Sequence, residues 1–407
     1  MFLVAVGGIQ ARTLKVDAGA GAEARLQAAL AEAKDGDVIA LGAGLYELTA
    51  TLKMSTPGVT LQGAGPDQTR ISFAQKPASK DLIENTGIVI AGDRLVLRDF
   101  ALSDSKGPGI GGTVFGTEKI SPLIVDNITF KNLLLERNQI RLTAARHVLF
   151  DKVTARDTFS GIQTTTSEYV IVRNCTLERN HVGLEVENDY FVDIYDNVAR
   201  DNVGGIMMLD MPMYNHINGH SIRVFRNKVL DNNKPSKFPT GIGGTMRTGT
   251  GILVMGGESD IHIFDNDISG NGHANITIVA LPWQIDNPDF NAIPNDIVVR
   301  NNRFGPSGFA PQDNLAAVKA AGGTLPDVIW DGATTFIGAG QIKTSPPLRL
   351  TIKDNMRTDG MPVGFLSLGL TIANGGMLFS EPTAKLPEPA KAEEPAPVRL
   401  PQDNVAG

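Results

Sequence analysis

The sequence has 407 residues, more than one ordinary compact domain holds, although an elongated solenoid fits this length because its core grows along one axis. Hydrophobic residues make up 42% and charged residues 20% of the chain, and the net charge is −7, which excludes a fully disordered chain and argues against a nucleic-acid partner. The single cysteine, Cys175, excludes an intrachain disulfide and a cysteine-rich metal site, and the lack of about 18 consecutive apolar residues excludes a transmembrane segment.

The chain begins with an apolar stretch, MFLVAVGGIQA at residues 1–11, followed by a charge at Arg12. This pattern is typical of the end of a secretory signal peptide, so we predict a signal remnant and a periplasmic or extracellular location; a short first strand is the alternative. Residues 22–33 are rich in Ala and Leu and predict a short amphipathic helix, which would cap the open end of a solenoid. Residues 35–48 and 57–65 then predict strands joined by tight turns.

The centre of the chain contains an internal repeat. The segments 147–163, 169–185 and 191–207 align without gaps at a period of 22 residues. Residues that recur at equivalent positions include Val148, Val170 and Val192, and Gly161, Gly183 and Gly205. One such repeat cannot bury its apolar side alone, so the period predicts stacked coils of short strands. Asparagine at fixed turn positions further predicts ladders of amide hydrogen bonds between coils.

The same alternation of apolar and polar residues continues on both sides of this block, over residues 94–142 and 221–304. Three insertions loosen the spacing, at residues 211–220, 234–250 and 282–295. We therefore predict an all-β fold, a single-stranded parallel β-helix that covers residues 12–305 together with its N-terminal helical cap.

The repeat fades towards the C-terminus. Residues 306–379 contain scattered strand patterns, and we predict an irregular cap packed on the last coils. Residues 380–407 are rich in Pro, Ala, Glu and Lys, a composition that predicts a disordered tail.

These patterns resemble a known superfold. The opening GDVIALGAGLYEL and GVTLQGAG resembles the first turns of pectate-lyase-like right-handed β-helix proteins. The segments GLEVENDYFVDIYDNVARDNVGGIMMLDMP and GTGILVMGGESDIHIFDNDISGNGHANITIV resemble a narrower bacterial family of parallel β-helix repeat proteins, which are exported and have no assigned function. The resemblance implies a right-handed coil over about residues 35–304. It implies no single activity, because this superfold hosts lyases, hydrolases, epimerases and binding proteins.

The catalytic motifs of these enzymes are not present in full. Of the polygalacturonase motifs, only Gly219-His220-Ser221 and Ile222-Arg223 echo the family pattern, and no pair of adjacent aspartates precedes them. The D-P-H-D box of alginate epimerases is absent from the sequence, as is a convincing Lys/Arg pair of a lyase.

Candidate catalytic residues follow from strand alternation, which places Glu185 and Glu187 on the outside of the coil. The insertion that follows brings Asp210 and His220 to the same side. Such groups suit general acid–base catalysis on a glycosidic bond, or would ligate calcium, the one cofactor that the pattern allows, beside an acidic sugar. The alternative is that the two glutamates are solvated strand residues in a ladder with Arg141.

Substrate-binding candidates surround this strip. We predict this role for Arg141, Gln163, Tyr190, Tyr214, Arg247 and Trp283. Aromatic rings would stack on pyranose faces and the arginines would hold a carboxylate. The insertions are predicted to stand as walls over the strip, whereas His181 and His262 are expected on turn surfaces, and no other metal site is predicted.

The leading functional prediction is an exported protein that binds or processes a polysaccharide on its flank, as a lyase, epimerase or hydrolase. The alternative is a non-catalytic periplasmic or surface scaffold that binds a protein partner. An enzyme requires acidic, basic or imidazole groups that converge in one groove. A scaffold would instead show a flat face whose side chains pair with one another.

Overall fold

The computed structural model describes residues 11–113, 125–214, 216–238, 244–281, 285–323, 325–338, 340–346, 348–373, 376–379, 382–391 and 393–401. Within them the chain winds into successive coils, and each coil of the central region contributes one strand to a narrow sheet and two strands to a broad sheet. All pairings between coils are parallel. The predicted parallel β-helix is confirmed, while the predicted signal remnant lies almost wholly outside the described residues.

The broad sheet has 21 described strands. They are β1 (Thr13–Val16), β2 (Val38–Leu41), β3 (Gly44–Glu47), β5 (Thr60–Gln62), β6 (Thr69–Ser72), β8 (Val96–Ser103), β10 (Val125–Glu136), β12 (Ala145–Asp151), β13 (Thr154–Arg156), β15 (Glu168–Arg173), β16 (Thr176–Glu178), β18 (Tyr190–Tyr195), β19 (Val198–Arg200), β21 (His220–Phe225), β22 (Lys228–Leu230), β24 (Ser259–Phe264), β25 (Asp267–Ser269), β27 (Asn295–Arg300), β28 (Arg303–Phe304), β32 (Leu350–Lys353) and β33 (Met356–Arg357).

The narrow sheet has 11 described strands. They are β4 (Leu52–Met54), β7 (Ile88–Ile90), β9 (Ile110–Gly111), β11 (Ile140–Thr143), β14 (Ser160–Thr165), β17 (Val182–Glu187), β20 (Gly204–Leu209), β23 (Thr250–Met255), β26 (Ala274–Val279), β29 (Val328–Trp330) and β34 (Phe365–Ser367). Two antiparallel hairpins pair β30 (Thr335–Gly338) with β31 (Gln341–Thr344) and β35 (Leu370–Ala373) with β36 (Gly376–Phe379). The described helices are α1 (Ala22–Glu32), α2 (Leu82–Asn85) and α3 (Asp313–Ala320).

The period of 22 residues fixes the register between coils. Val148 pairs with Val170, and Val170 pairs with Val192, as the repeat predicts. These three valines are fully buried, and the inward residues of the other strands continue their columns into one elongated apolar core. Burial of this core is the main stabilising term, because each coil covers the apolar surface of the next.

Asparagine ladders fill two turns of the coil, as predicted. In the longer ladder each side-chain amide donates to the amide oxygen of the next asparagine, over 2.9–3.0 Å. Its members are Asn197, Asn227, Asn266, Asn302 and Asn355. The second ladder connects Asn202, Asn232 and Asn271 in the same way. These bonds satisfy polar groups that the stacked turns bury, which would otherwise cost free energy.

The two ends of the solenoid differ. At the N-terminal end α1 packs Leu26 and Ala29 against the first coil, as the predicted cap requires. At the other end the coils continue beyond residue 305, because β29 pairs with β26 and β32 pairs with β27. These last coils could not be predicted from the repeat, because long connections, including α3, separate their strands and break the period.

The C-terminal segment also differs from its prediction. Composition predicts disorder over residues 380–407, yet the described part of this segment lies against the solenoid. The backbone N–H of Leu350 donates to the carbonyl of Glu388, and Thr383 exchanges two backbone hydrogen bonds with Ser367. Glu394 and Val398 contact the outer face of the broad sheet.

Candidate functional site

The outer face of the narrow sheet carries the predicted polar columns. Register places Arg141, Gln163 and Glu185 in one column and Thr165 and Glu187 in the next. The hydroxyl of Ser160 donates to Oε2 of Glu185. Oε2 of Glu187 accepts from Thr165 Oγ1 at 3.0 Å and from Gln163 Nε2 at 3.4 Å, while Tyr214 donates to Oε1 at 3.4 Å. We call Glu185 and Glu187 the carboxyl pair.

Both carboxyls of this pair are shielded from solvent, with 1% and 2% of each residue exposed. Burial, followed by the charge of Glu187, raises the pKa of Glu185 to about 7. Burial likewise raises the pKa of Glu187, although the charge of Arg141 opposes the shift in both. The pair therefore has the perturbed acidity expected of acid–base catalysts, but it lacks contact with solvent.

The insertions cover the strip instead of standing as walls beside it. Met211 and Tyr214 of the first insertion pack against Met207 and Leu209, which occupy the outer positions of β20. Residues of the third insertion, including Phe290, join the same apolar cluster. The structure therefore has a second small core where an open groove over the carboxyl pair was predicted. The apolar side chains on this face pack against those of the loops, and burial of both surfaces favours the covered arrangement.

A second group of acids lies at the turn between the narrow-sheet strands and the six-residue strands of the broad sheet. Asp189, Asp210 and Glu258 are fully buried there, and we call them the acidic turn. Asp210 accepts from the backbone N–H of Asn218 at 2.7 Å, whereas neither carboxyl oxygen of Glu258 has a hydrogen-bond partner among the described residues. Burial raises the pKa of Asp189 to about 8 and raises those of Asp210 and Glu258 well above their ordinary values.

The predicted aromatic and imidazole groups form a stacked cluster. Tyr190 lies between His220, whose ring is stacked at 4.3 Å, and His216, whose ring meets it edge-on at 3.6 Å. The Tyr190 hydroxyl donates to the carbonyl of Ile217 over 2.5 Å, and burial raises its pKa to about 12. Burial lowers the pKa of His220. These residues are held by the insertion, and their predicted roles in chemistry remain predictions.

Arg247 lies apart from the carboxyl pair, in a cleft of about 280 Å³ further along the solenoid, and Trp283 lies outside the described residues. Arg247 pairs with Asp313 at the cleft rim, and Nδ1 of His273 accepts from the backbone of Gln312 at 3.1 Å. The apolar side chains of its lining include Leu253, Met255, Val279, Ile329, Leu315 and Leu370. We call this space the apolar cleft.

A pocket that sequence reasoning missed lies where the three-residue strands turn into the narrow sheet. It has a volume of about 280 Å³. Phe159 stacks on His181 at 5.0 Å, and Phe238 meets both rings edge-on at 4.9 and 5.1 Å. Phe238 is 43% exposed, and Lys234 and Lys237 adjoin it. We call this space the aromatic pocket.

A sequence signal for this pocket exists. Phe159 and His181 are separated by one repeat period, so the register predicts that their rings stack. The sequence predicts a turn surface for His181, and this prediction is wrong, because His181 is buried beneath the other two rings. The same prediction for His262 is also wrong, because His262 is a buried residue of β24. The insertion that supplies Phe238 has no period and could not be placed from the sequence.

Two further properties concern the described residues only. They contain no cluster of three or more His, Cys, Asp or Glu side chains arranged to hold a metal ion. None of the described helices is long and apolar enough to cross a membrane.

Comparison with known proteins supports the architecture. A family described as right handed beta helix region matches residues 81–222, and no curated protein matches. The DFA-IIIase from Arthrobacter chlorophenolicus A6, solved without its lid in complex with GF2, is 11% identical with a TM-score of 0.54, over 85% of this chain and 94% of that one. The mannuronan C-5 epimerase AlgE4 A-module from Azotobacter vinelandii is 14% identical with a TM-score of 0.46, over 85% and 95%.

An alginate lyase from Paenibacillus sp. str. FPU-7 is also similar, at 14% identity and a TM-score of 0.43, over 85% of this chain and 95% of that one. At identities this low the likeness concerns the fold alone.

Proposed function

Because the chain is a right-handed parallel β-helix protein whose turns carry side chains into solvent, we propose that it binds an acidic saccharide in the aromatic pocket. The observation that carries the proposal is the exposed ring of Phe238, supported edge-on by Phe159 and His181 and bordered by lysines. A sugar offers an apolar C–H face to such a ring and its charged group to the cations around it.

The charges of the pocket favour an anion. Its lining contains the cations Arg137, Lys234 and Lys237 but a single carboxylate, Asp157. Burial lowers the pKa of Lys234, the charge of Asp157 opposes this shift, and the repulsion from Lys237 and Arg179 adds to the lowering. A bound carboxylate would relieve this repulsion, so an acidic sugar gains more from the pocket than a neutral sugar does.

The pocket adjoins the carboxyl pair. Phe159 precedes Ser160, whose hydroxyl donates to Glu185, so a ligand in the pocket lies beside the outer face of the narrow sheet. Burial keeps both glutamates out of contact with such a ligand. The proposed function is therefore binding, and the carboxyl pair is not given a role in bond cleavage.

The apolar cleft is a weaker site for a saccharide. Its described lining contains no Phe, Tyr or Trp, and aliphatic side chains offer no flat face to a sugar ring. The aromatic pocket has that face together with unbalanced positive charge.

The proposal is tested by calorimetric titration of the full chain with a short oligogalacturonate and with a neutral malto-oligosaccharide. We expect saturable binding of the acidic oligomer and much weaker binding of the neutral one. Phe238→Ala should weaken binding about tenfold through lost ring contact. Lys237→Ala should weaken it roughly two- to fivefold, as for an exposed ion pair, and reduce the preference for the acidic oligomer.

Matched controls are Phe309→Ala and Lys228→Ala, which remove exposed side chains of the same types away from the pocket. Both should bind as the parent does. Failure of all acidic oligomers to bind, or unchanged affinity in Phe238→Ala, would remove the proposed site and leave the scaffold alternative.

A further inference from the structure

The outer face of the broad sheet has a charged column that the solenoid alone does not balance. Asp193, Arg223 and His262 occupy equivalent positions on β18, β21 and β24. Arg223 binds Asp193 through two hydrogen bonds of 2.8 and 2.5 Å. On the next coil, the guanidinium of Arg300 lies 4.0 Å from the ring centre of Phe264. This surface therefore carries the two arginines Arg223 and Arg300 but a single aspartate, Asp193. His262 lies in the same column, and burial lowers its pKa.

The C-terminal segment supplies the missing charge. The carboxylate of Glu394 accepts from Arg223 Nη1 at 2.9 Å and from Arg300 Nη2 at 2.5 Å, and so bridges two coils. Four residues later, the backbone N–H of Val398 donates to Asp193 Oδ2 at 3.1 Å. The segment therefore crosses the strands along the solenoid axis, and we call the surface it occupies the tail groove.

The segment is suited to binding as a preformed extended peptide. Residues 386–401 read LPEPAKAEEPAPVRLP and contain five prolines. Such composition favours the polyproline II conformation, in which little conformational entropy is lost on docking. Pro395 is buried against the groove, while the neighbouring Glu393 and Ala396 are exposed.

The described contacts of this segment are few compared with those between coils. They consist of a backbone bridge at Glu388, a hydrogen bond of 3.4 Å from the backbone N–H of Lys391 to Asp296, the ion pairs of Glu394 and the hydrogen bond of Val398. Each joins the segment to a completed strand, so the segment can leave without breaking a pairing between the coils beneath it. A docked peptide of this kind opens at a lower free energy than the core.

We propose that the tail groove is a peptide-docking site whose ligand is the segment 386–401, bound in cis in one copy and exchangeable with the same segment of a second copy. Arg223 and Arg300 bind the carboxylate of Glu394. The prolines favour the extended conformation in which the segment lies along the groove. In a single copy the tether keeps the local concentration of the segment high, so exchange requires that the resident tail is released.

The test measures binding of a fluorescent peptide of residues 386–401 to the full chain by anisotropy. Glu394→Lys places a cation between two arginines and should release the resident tail, which hydrogen exchange of residues 385–401 reports. We expect this variant to bind the peptide at least about tenfold more tightly than the parent does. Glu393→Lys, which alters the adjacent exposed residue, should behave as the parent.

Two additional measurements identify the contact. A peptide that carries Glu394→Lys should bind the released variant at least about tenfold more weakly, and Arg300→Ala in that variant should weaken the unmodified peptide similarly. Equal protection of the tail in parent and Glu394→Lys would overturn the proposal. So would equal peptide binding by the parent, Glu393→Lys and Glu394→Lys, or indifference to the charge of the peptide.

Discussion

Buried carboxyls are the residues whose protonation most affects this fold. An acid whose pKa is raised by folding binds a proton that the unfolded chain releases near pH 4. Its stabilising contribution is therefore complete below the unfolded pKa and is lost as the pH rises through the folded pKa. Asp189, with a pKa of about 8, and Glu185, with a pKa of about 7, place this loss in the range from weakly acidic to weakly alkaline solution.

We therefore expect the free energy of unfolding to fall by roughly a few kcal/mol between about pH 5 and about pH 9. Asp189→Asn removes the titrating group but keeps an oxygen that can accept from the backbone N–H of Ser167. Its melting temperature should depend less on pH than that of the parent, whereas Asp201→Asn, at an exposed turn, should change nothing. Melts that rise towards pH 9 would contradict this assignment.

Gly183 illustrates the tight contact between coils. A Cβ atom at this position would lie 2.5 Å from the carbonyl oxygen of Gly205 on the next coil. Gly183→Ala should therefore lower the free energy of unfolding by about 1–3 kcal/mol, since the stacked backbone must shift. The matched change Gly112→Ala, where the nearest atom is 3.6 Å away, should cost much less. Equal denaturation midpoints in urea for the two variants would contradict this prediction and would show that the backbone at Gly183 shifts at little cost in free energy.

At the scale of elements, the asparagine ladder connects the turns of successive coils by hydrogen bonds, whereas the apolar core connects only their strands. Asn227 accepts from the backbone and side chain of Asn197, and its amide donates to the carbonyl of Ile194 at 2.9 Å. Asn227→Ala would leave these buried groups without partners, which costs about 2–4 kcal/mol. Asn355→Ala, at the less buried end of the ladder, should cost clearly less. Urea titrations of both variants measure the difference, and equal losses would argue against the ladder as a source of stability.

The repeating elements could be predicted from the sequence because their spacing is local information. Val148, Val170 and Val192 stack as their interval requires, and so do Asn180 and Asn202, which lie one period apart. The burial of Glu187 could not be predicted in the same way, because it depends on how a loop without a period folds back. Tyr214 covers Glu187 from within such a loop, 27 residues away in sequence.

The candidate site was predicted less well than the fold for the same physical reason. Alternation correctly places Glu185 and Glu187 on the outer face, but an outer face is not an exposed one when apolar neighbours attract the loops. The aromatic pocket combines a periodic pair, Phe159 and His181, with a ring from an insertion. Only the periodic half of that site is visible before the chain folds.

At the scale of the whole molecule, a solenoid is a row of coils in which each contacts only its neighbours, so its stability depends on how the ends are closed. The N-terminal end is closed by α1. At the C-terminal end the docked segment lies against the edge of β32, where the backbone N–H of Leu350 donates to the carbonyl of Glu388. An unpaired edge there would fray and would offer a template for association with another chain.

Removal of residues 381–407 should therefore loosen the last coils first. We expect faster hydrogen exchange in Asn295–Arg300 and Leu350–Lys353, by an amount that corresponds to about 1–3 kcal/mol of local opening free energy, as lost hydrogen bonds and ion pairs cost. Exchange in Val96–Ser103, several coils away from every described contact of the tail, should stay unchanged because coils contact only their neighbours. Glu393→Ala in the full chain is the control. A disordered tail, as composition alone predicts, would leave all three strands unaffected by the deletion.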